Sequence, residues 1–140
     1  MGELVEDSKD DIREVLKIVG KEPKSINIYV SPLWKYTVYN EILDKAKGEA
    51  QIKDMLKHVM QMPEARQQGK HAVSFAERLA RDARMLGGVL SQDDEEKALS
   101  EASQELEKLF NCKVKVMKAE ASKSPKALRA EPGKPGIEIE

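Results

Sequence analysis

Three short stretches alternate apolar and polar residues with the period of two that marks a half-buried strand: residues 25–30, 113–117 and 137–140. The first two are separated by roughly eighty residues with helical periodicity, so they pair in parallel only through a long crossover. The third strand must return from the far end of the chain. The pattern therefore predicts an α+β fold, a small mixed sheet of roughly three strands with about four to five packed helices. The element order reads α-β-α-α-α-α-β-(short α)-β. Ends of chains fray unless something ties them down, so a final strand implies an end docked on the sheet.

The helices follow from their apolar stripes. Val5, Ile12, Val15, Leu16 and Val19 recur at helical spacing and Gly20 supplies a stop, giving a leading helix over 1–22. Ser31-Pro32 ends the first strand and opens a helix whose inner stripe is Trp34, Val38, Ile42 and Ala46. In its first turn Trp34 reads as core, not as a stacking platform. Ile52, Met55, Leu56, Val59 and Met60 form a further helix, broken at Pro63, which opens the next. Ala72, Phe75, Ala76, Leu79, Ala83 and Leu86 then hold one long stripe until Gly87-Gly88. Ser91, three residues before Asp94, gives a capping box, followed by the stripe Leu99, Ala102, Leu106, Leu109 and Phe110. The stretch 118–136 is the most loop-like, with a short helical turn at Ser124–Leu128. All 140 residues are expected to form one domain.

Composition narrows the function. Charged residues make up 35% and aromatics 4%, the profile of a soluble, helix-rich chain. One cysteine precludes an internal disulfide and makes the cytoplasm the expected compartment. The acidic N-terminus lacks the apolar core of a secretion signal, Glu6 stands where a myristoylation site wants Ser or Thr, and no apolar run spans a bilayer. His58 and His71 lie on different expected helices, and no paired metal-ligand motif occurs, so neither metal nor cofactor is expected. Cys112 reads as a structural thiol on the inward face of its strand, although a third reading makes it an acyl-transfer nucleophile. Gly133-Lys134-Pro135-Gly136 fits the Gly-x-x-Gly loop that clamps RNA backbone in KH modules, but it leads into a strand and Pro135 lacks a donor.

A net charge of −1 argues against a sequence-independent nucleic-acid binder. The charge is unevenly spread, however. Residues 91–110 carry seven acids against two lysines, a balance of −5, and residues 111–140 carry seven bases against four glutamates, a balance of +3. Within that basic end, prolines stiffen the approach to the last strand, so Lys126, Arg129 and Lys134 lose less freedom on meeting phosphates.

Three stretches in this order point further: Ser31-Pro32-Leu33-Trp34-Lys35 after a strand; Met62-Pro63-Glu64-Ala65-Arg66-Gln67-Gln68-Gly69-Lys70 with Phe75; and Ala127-Leu128-Arg129-Ala130-Glu131-Pro132-Gly133-Lys134-Pro135-Gly136-Ile137-Glu138-Ile139-Glu140. Together they resemble the C-terminal region of archaeal-type leucyl-tRNA synthetase, where a Pro-x-Lys-Pro element precedes a short terminal strand ending in glutamate. Glu131, Gly133, Gly136 and Glu138 depart from the residues usual in that family. The resemblance implies a non-catalytic domain that binds the long variable arm of leucine tRNA in support of leucine attachment by the rest of an ATP-dependent ligase. The ATP-binding signatures of that ligase class are absent here. By the same resemblance Lys134, Ile137, Glu138, Ile139 and Glu140 meet the tip of the arm, and electrostatics adds Lys126 and Arg129 as phosphate contacts. The expected partners are leucine tRNA and the remainder of the synthetase, with no membrane and with the chain a monomer. A different class of function, a protein-interaction scaffold docking a basic partner on the acidic helix over 93–110, is the alternative.

Overall fold

The computed structural model of the protein describes residues 2–20 and 22–140. Met1 and Lys21, which the expected 1–22 helix includes, lie outside the described residues. In chain order the elements are α1 (Gly2–Val19), β1 (Ser25–Val30), α2 (Leu33–Lys47), α3 (Ile52–Val59), α4 (Pro63–Gln68) and α5 (Lys70–Arg81). There follow α6 (Gln92–Glu101), α7 (Ser103–Phe110), β2 (Lys113–Lys118), α8 (Pro125–Arg129) and β3 (Gly136–Ile139), with single turns of tighter helix at Ala83–Met85 and Ala119–Ala121. The fold is α+β with a mixed sheet, in the order read from the sequence.

The chain divides into two compact units, Met1–Pro32 with Leu90–Glu140, and Leu33–Val89. The first holds the sheet. β1 is central, β2 runs parallel on one side and β3 antiparallel on the other. The register places Ile26 beside Val114 and Ile139, and Ile28 beside Val116 and Ile137. Because side chains alternate along a strand, these residues and Val30 share one face. Ile26, Ile28 and Val30 are wholly buried there, beneath a layer that includes Leu4, Ile12, Leu99 and Leu106 of α1, α6 and α7. Each such aliphatic side chain contributes about 1.5–3 kcal/mol on burial.

The opposite face carries Ser25, Asn27 and Tyr29 of β1, Lys113, Lys115 and Met117 of β2, and Gly136, Glu138 and Glu140 on the other side. The connector covers only one end of it. Ala119, Ala127 and Ala130 pack on Tyr29 and Met117, so a segment that composition marks as a loop is a small helical plug. The second unit packs Val38, Tyr39 and Ile42 of α2 against Met55 and Val59 of α3 and Ala72, Phe75, Ala76 and Leu79 of α5. Trp34 is half-buried against that core, edge-on to Phe75 at 5.7 Å.

Two stripes expected as single helices are interrupted. Gly69, at φ 54° and ψ −122°, ends α4 and starts α5; no residue with a Cβ takes that conformation readily. The long stripe also ends at Arg81, and Ala83 reaches the core from a tighter turn. Between α6 and α7, the Ser103 hydroxyl donates to the Ser100 carbonyl at 2.7 Å, a local bond that competes with the helical ladder. The serine cap of α6 forms, Ser91 Oγ accepting from the Asp94 N–H at 3.2 Å.

Candidate nucleic-acid interface

The terminal strand is tied at both ends. Glu140 N–H donates to the Ser25 carbonyl at 2.9 Å, and the Glu140 carbonyl accepts from Ser25 N–H at 3.2 Å and Lys24 N–H at 2.7 Å. The Ser25 hydroxyl adds a bond to the Glu140 carboxylate at 3.2 Å. Pairing thus continues one residue past β3. In an antiparallel ladder, pairs that exchange both bonds alternate with pairs that exchange none. Since Ser25 and Glu140 exchange both, Asn27–Glu138 and Tyr29–Gly136 are the other bonded pairs. The main-chain N–H and C=O groups of Ile137 and Ile139 therefore point away from β1, toward the outer edge of the sheet.

The middle of β3 is fixed by its own carboxylate. Glu138 accepts from the Ser124 hydroxyl at 2.6 Å, the Tyr29 hydroxyl at 2.8 Å and the Asn27 amide at 3.5 Å. The bonds from Ser124 and Tyr29, then Asn27, with the nearby charge of Lys126, hold this carboxyl below the usual glutamate range. Ser124 also caps α8, taking the Lys126 N–H at 3.2 Å. Gly136 lets the two elements touch, because a Cβ there would collide with the Lys126 carbonyl.

Ahead of β3, Pro132 and Gly133 form the centre of a tight turn closed by Lys134 N–H to the Glu131 carbonyl at 2.7 Å and Glu131 N–H to the Lys134 carbonyl at 2.9 Å. Gly133 sits at φ 77°, the glycine-favouring conformation of such a Pro-Gly turn. Its N–H donates at 2.6 Å to the carboxylate of Glu95, which is 1% exposed. The Gly-x-x-Gly segment consequently has no backbone donors left to clamp a phosphate: Gly133 and Lys134 are bonded within the protein and Pro135 has none.

The expected contact residues separate by what they present. Lys126 and Arg129 are exposed, three apart on α8, and Lys134 is exposed in the turn within electrostatic reach of Asp11. Ile137 is buried and Ile139 half-buried, so neither side chain is freely presented. The Glu138 side chain faces the protein interior of the connector, and Glu140 is exposed. Tyr29, Ser124 and Glu95 position this end of the chain and were not legible as such. Glu95 had a signal: it lies four residues before Leu99 on the buried stripe of α6, hidden within the acidic run from Asp93 to Glu96. Cys112 precedes β2 instead of lying in it, and burial together with the charge of Glu107 pushes its thiol up, away from the reactive thiolate. Among the described residues no group of three His, Cys, Asp or Glu gathers as metal ligands would, and no helix is long and apolar enough to cross a membrane.

Over 138 residues, 98% of its length, the chain is 31% identical to a leucine–tRNA ligase of Halobacterium salinarum. This sequence is similar to archaeal leucine–tRNA ligases. A second such ligase, from Methanothrix thermoacetophila, is 31% identical over 140 residues, and one from Pyrococcus abyssi is 29% identical over 132 residues. No protein-family model matches the chain. The chain spans about 15% of the length of the Halobacterium and Methanothrix ligases, a share consistent with the C-terminal region to which its motifs point. The likeness to leucine–tRNA ligases is thus nearly complete over this chain and local within them.

Proposed function

We propose that this chain is a non-catalytic C-terminal domain of a leucine–tRNA ligase, and that it holds leucine tRNA by its long variable arm while the remainder of the ligase attaches leucine. One observation carries the reading: β3 is fastened to β1 through Glu140 and to α8 through Glu138, leaving the main-chain groups of Ile137 and Ile139 directed outward. A rigid strand edge recognises unstacked loop bases by donor and acceptor position without a strongly basic surface, which suits a net charge of −1. Lys126, Arg129 and Lys134, all exposed, supply phosphate contacts beside it. On this reading the domain needs no cofactor of its own, acts in the cytoplasm as a monomeric appendage, and binds more weakly alone than when anchored to the rest of the ligase.

The test is a titration with intact and arm-trimmed leucine tRNA, watching the amides of residues 136–140. Tighter binding of the intact RNA with shifts confined to that segment is expected. Equal affinity for the two RNAs overturns the reading.

A second reading draws on a shallow groove of about 740 Å³ between α1 and α6–α7, lined by Val5, Ala98 and Ala102 and by the carboxylates of Glu3, Asp7 and Glu101. Its charge suits a basic protein partner. Recovery of proteins but no RNA at low salt would favour it.

A further inference from the structure

The half of the sheet face left uncovered by α8 carries two lysines that the resemblance assigns no role. Lys113 and Lys115 stand on β2 opposite Ser25 and Asn27, on the same face as Glu138 and Glu140, and both are exposed. Neither makes an ion pair among the described residues, whereas Lys118 at the end of the same strand is spent on Asp93 at 2.7 Å. Lysines on an edge strand often serve to repel a second strand. Here the outer edge is already engaged at Val114, whose N–H donates to the Glu107 carboxylate at 3.1 Å.

We propose that Lys113 and Lys115 form a phosphate track for the RNA backbone on this open half of the sheet. The inference rests on the tRNA-binding reading and extends it to the opposite side of the sheet from β3. Alternate residues of a strand lie about 6.6 Å apart, close to the repeat of successive phosphates on an extended nucleic-acid strand. The ladder to β1 immobilises the lysine backbones in advance, so binding costs side-chain freedom alone. β2 and β3 are about 9.6 Å apart across β1, a span that suits phosphates on one side and bases on the other. The acids of this face, Glu138 and Glu140, lie on the β3 side, where three uncharged donors hold the Glu138 carboxylate in place, while the β2 side carries the two lysines.

The experiment measures affinity of the chain for leucine tRNA against salt concentration. Removing two phosphate contacts with Lys113→Ala/Lys115→Ala should lower the slope of log affinity on log salt by about 1.4 to 1.8. The wild type's advantage should accordingly shrink about tenfold between 50 and 200 mM salt. Lys113→Arg/Lys115→Arg should restore the slope. The charge-matched control Lys97→Ala/Lys108→Ala, on exposed positions of α6 and α7, should leave it unchanged. An alanine variant that keeps the wild-type slope, or loses only solubility, overturns the proposal. Arm-trimmed tRNA separates the two readings. If the wild type binds both RNAs alike while the variant loses slope with each, the arm reading fails and the track stands. If the wild type discriminates while the variant keeps its slope, the track fails alone, and a wild type that binds neither RNA overturns both.

Discussion

The Ser124 hydroxyl donates to the Glu138 carboxylate at 2.6 Å, so one charged group serves both the cap of α8 and the middle of β3. Hydrogen bonds to a charged acceptor are worth about 1.5–3 kcal/mol each, and here they join two elements that otherwise meet through small side chains. Because the bonds hold the folded-state pKa of Glu138 below its unfolded value, their contribution is complete above about pH 4.3 and is lost as pH falls through the folded value. Glu138→Gln should therefore be less stable than wild type in denaturant at neutral pH, and the difference should close as the solution is acidified below that range. A difference that stays constant to the lowest pH at which the protein folds would mean the charge contributes nothing.

Gly136→Ala tests the approach of α8 to the strand. The obstructing atom is the Lys126 main-chain carbonyl, which cannot swing aside as a side chain would. A loss of about 1–3 kcal/mol is expected, as for other overpacked sites. Thermal unfolding measures it, and amide exchange should show α8 and β3 loosened together while α2–α5 keep their protection. An unchanged midpoint would show that α8 yields freely.

Much of this fold is legible in the sequence because its strands alternate cleanly. Residues 25–30 form β1 as read, β2 runs one residue past the stretch that alternates, and β3 is shifted one residue toward the N-terminus of its stretch. The helix interruptions are less legible. Gly69 is a visible breaker, yet the apolar stripe resumes at Ala72 in the same phase, and Ser103 acts through a hydroxyl whose local bond periodicity does not register. The site divides in the same way. Exposure of Lys126, Arg129 and Lys134 follows from their charge, but the use of Glu138 as an internal acceptor depends on a register with Asn27 and a capping serine fourteen residues earlier. A strand pairing of that kind cannot be read from spacing along one chain.

Glu95→Ala should disturb the candidate interface without touching it. The Gly133 N–H would lose its acceptor in a place that water barely reaches, a cost of about 1–3 kcal/mol. The turn carrying Lys134 would then keep its internal pair of bonds but lose its tie to α6 through Gly133. The expected result is a large shift of the Gly133 amide and weaker binding of leucine tRNA, with the amides of α3 unmoved. If the Gly133 amide stays in place, the turn is fixed by its prolines and the carboxylate is incidental.

The sharpest separation of strand integrity from recognition comes from proline substitution along β3. The Ile139 N–H points away from β1, so Ile139→Pro removes an outward donor while leaving the ladder bonds of Glu138 and Glu140 available. Proline is tolerated at edge positions of that kind. Glu138→Pro, one residue earlier, removes an N–H of a bonded pair and with it an inward bond of the ladder, and should unfold this end of the sheet. If the main-chain edge reads the arm, Ile139→Pro keeps a near-native melting profile and loses affinity for intact leucine tRNA, approaching its affinity for the arm-trimmed RNA. Glu138→Pro should lose both stability and affinity. Native affinity in a folded Ile139→Pro variant would remove that N–H from the recognition surface.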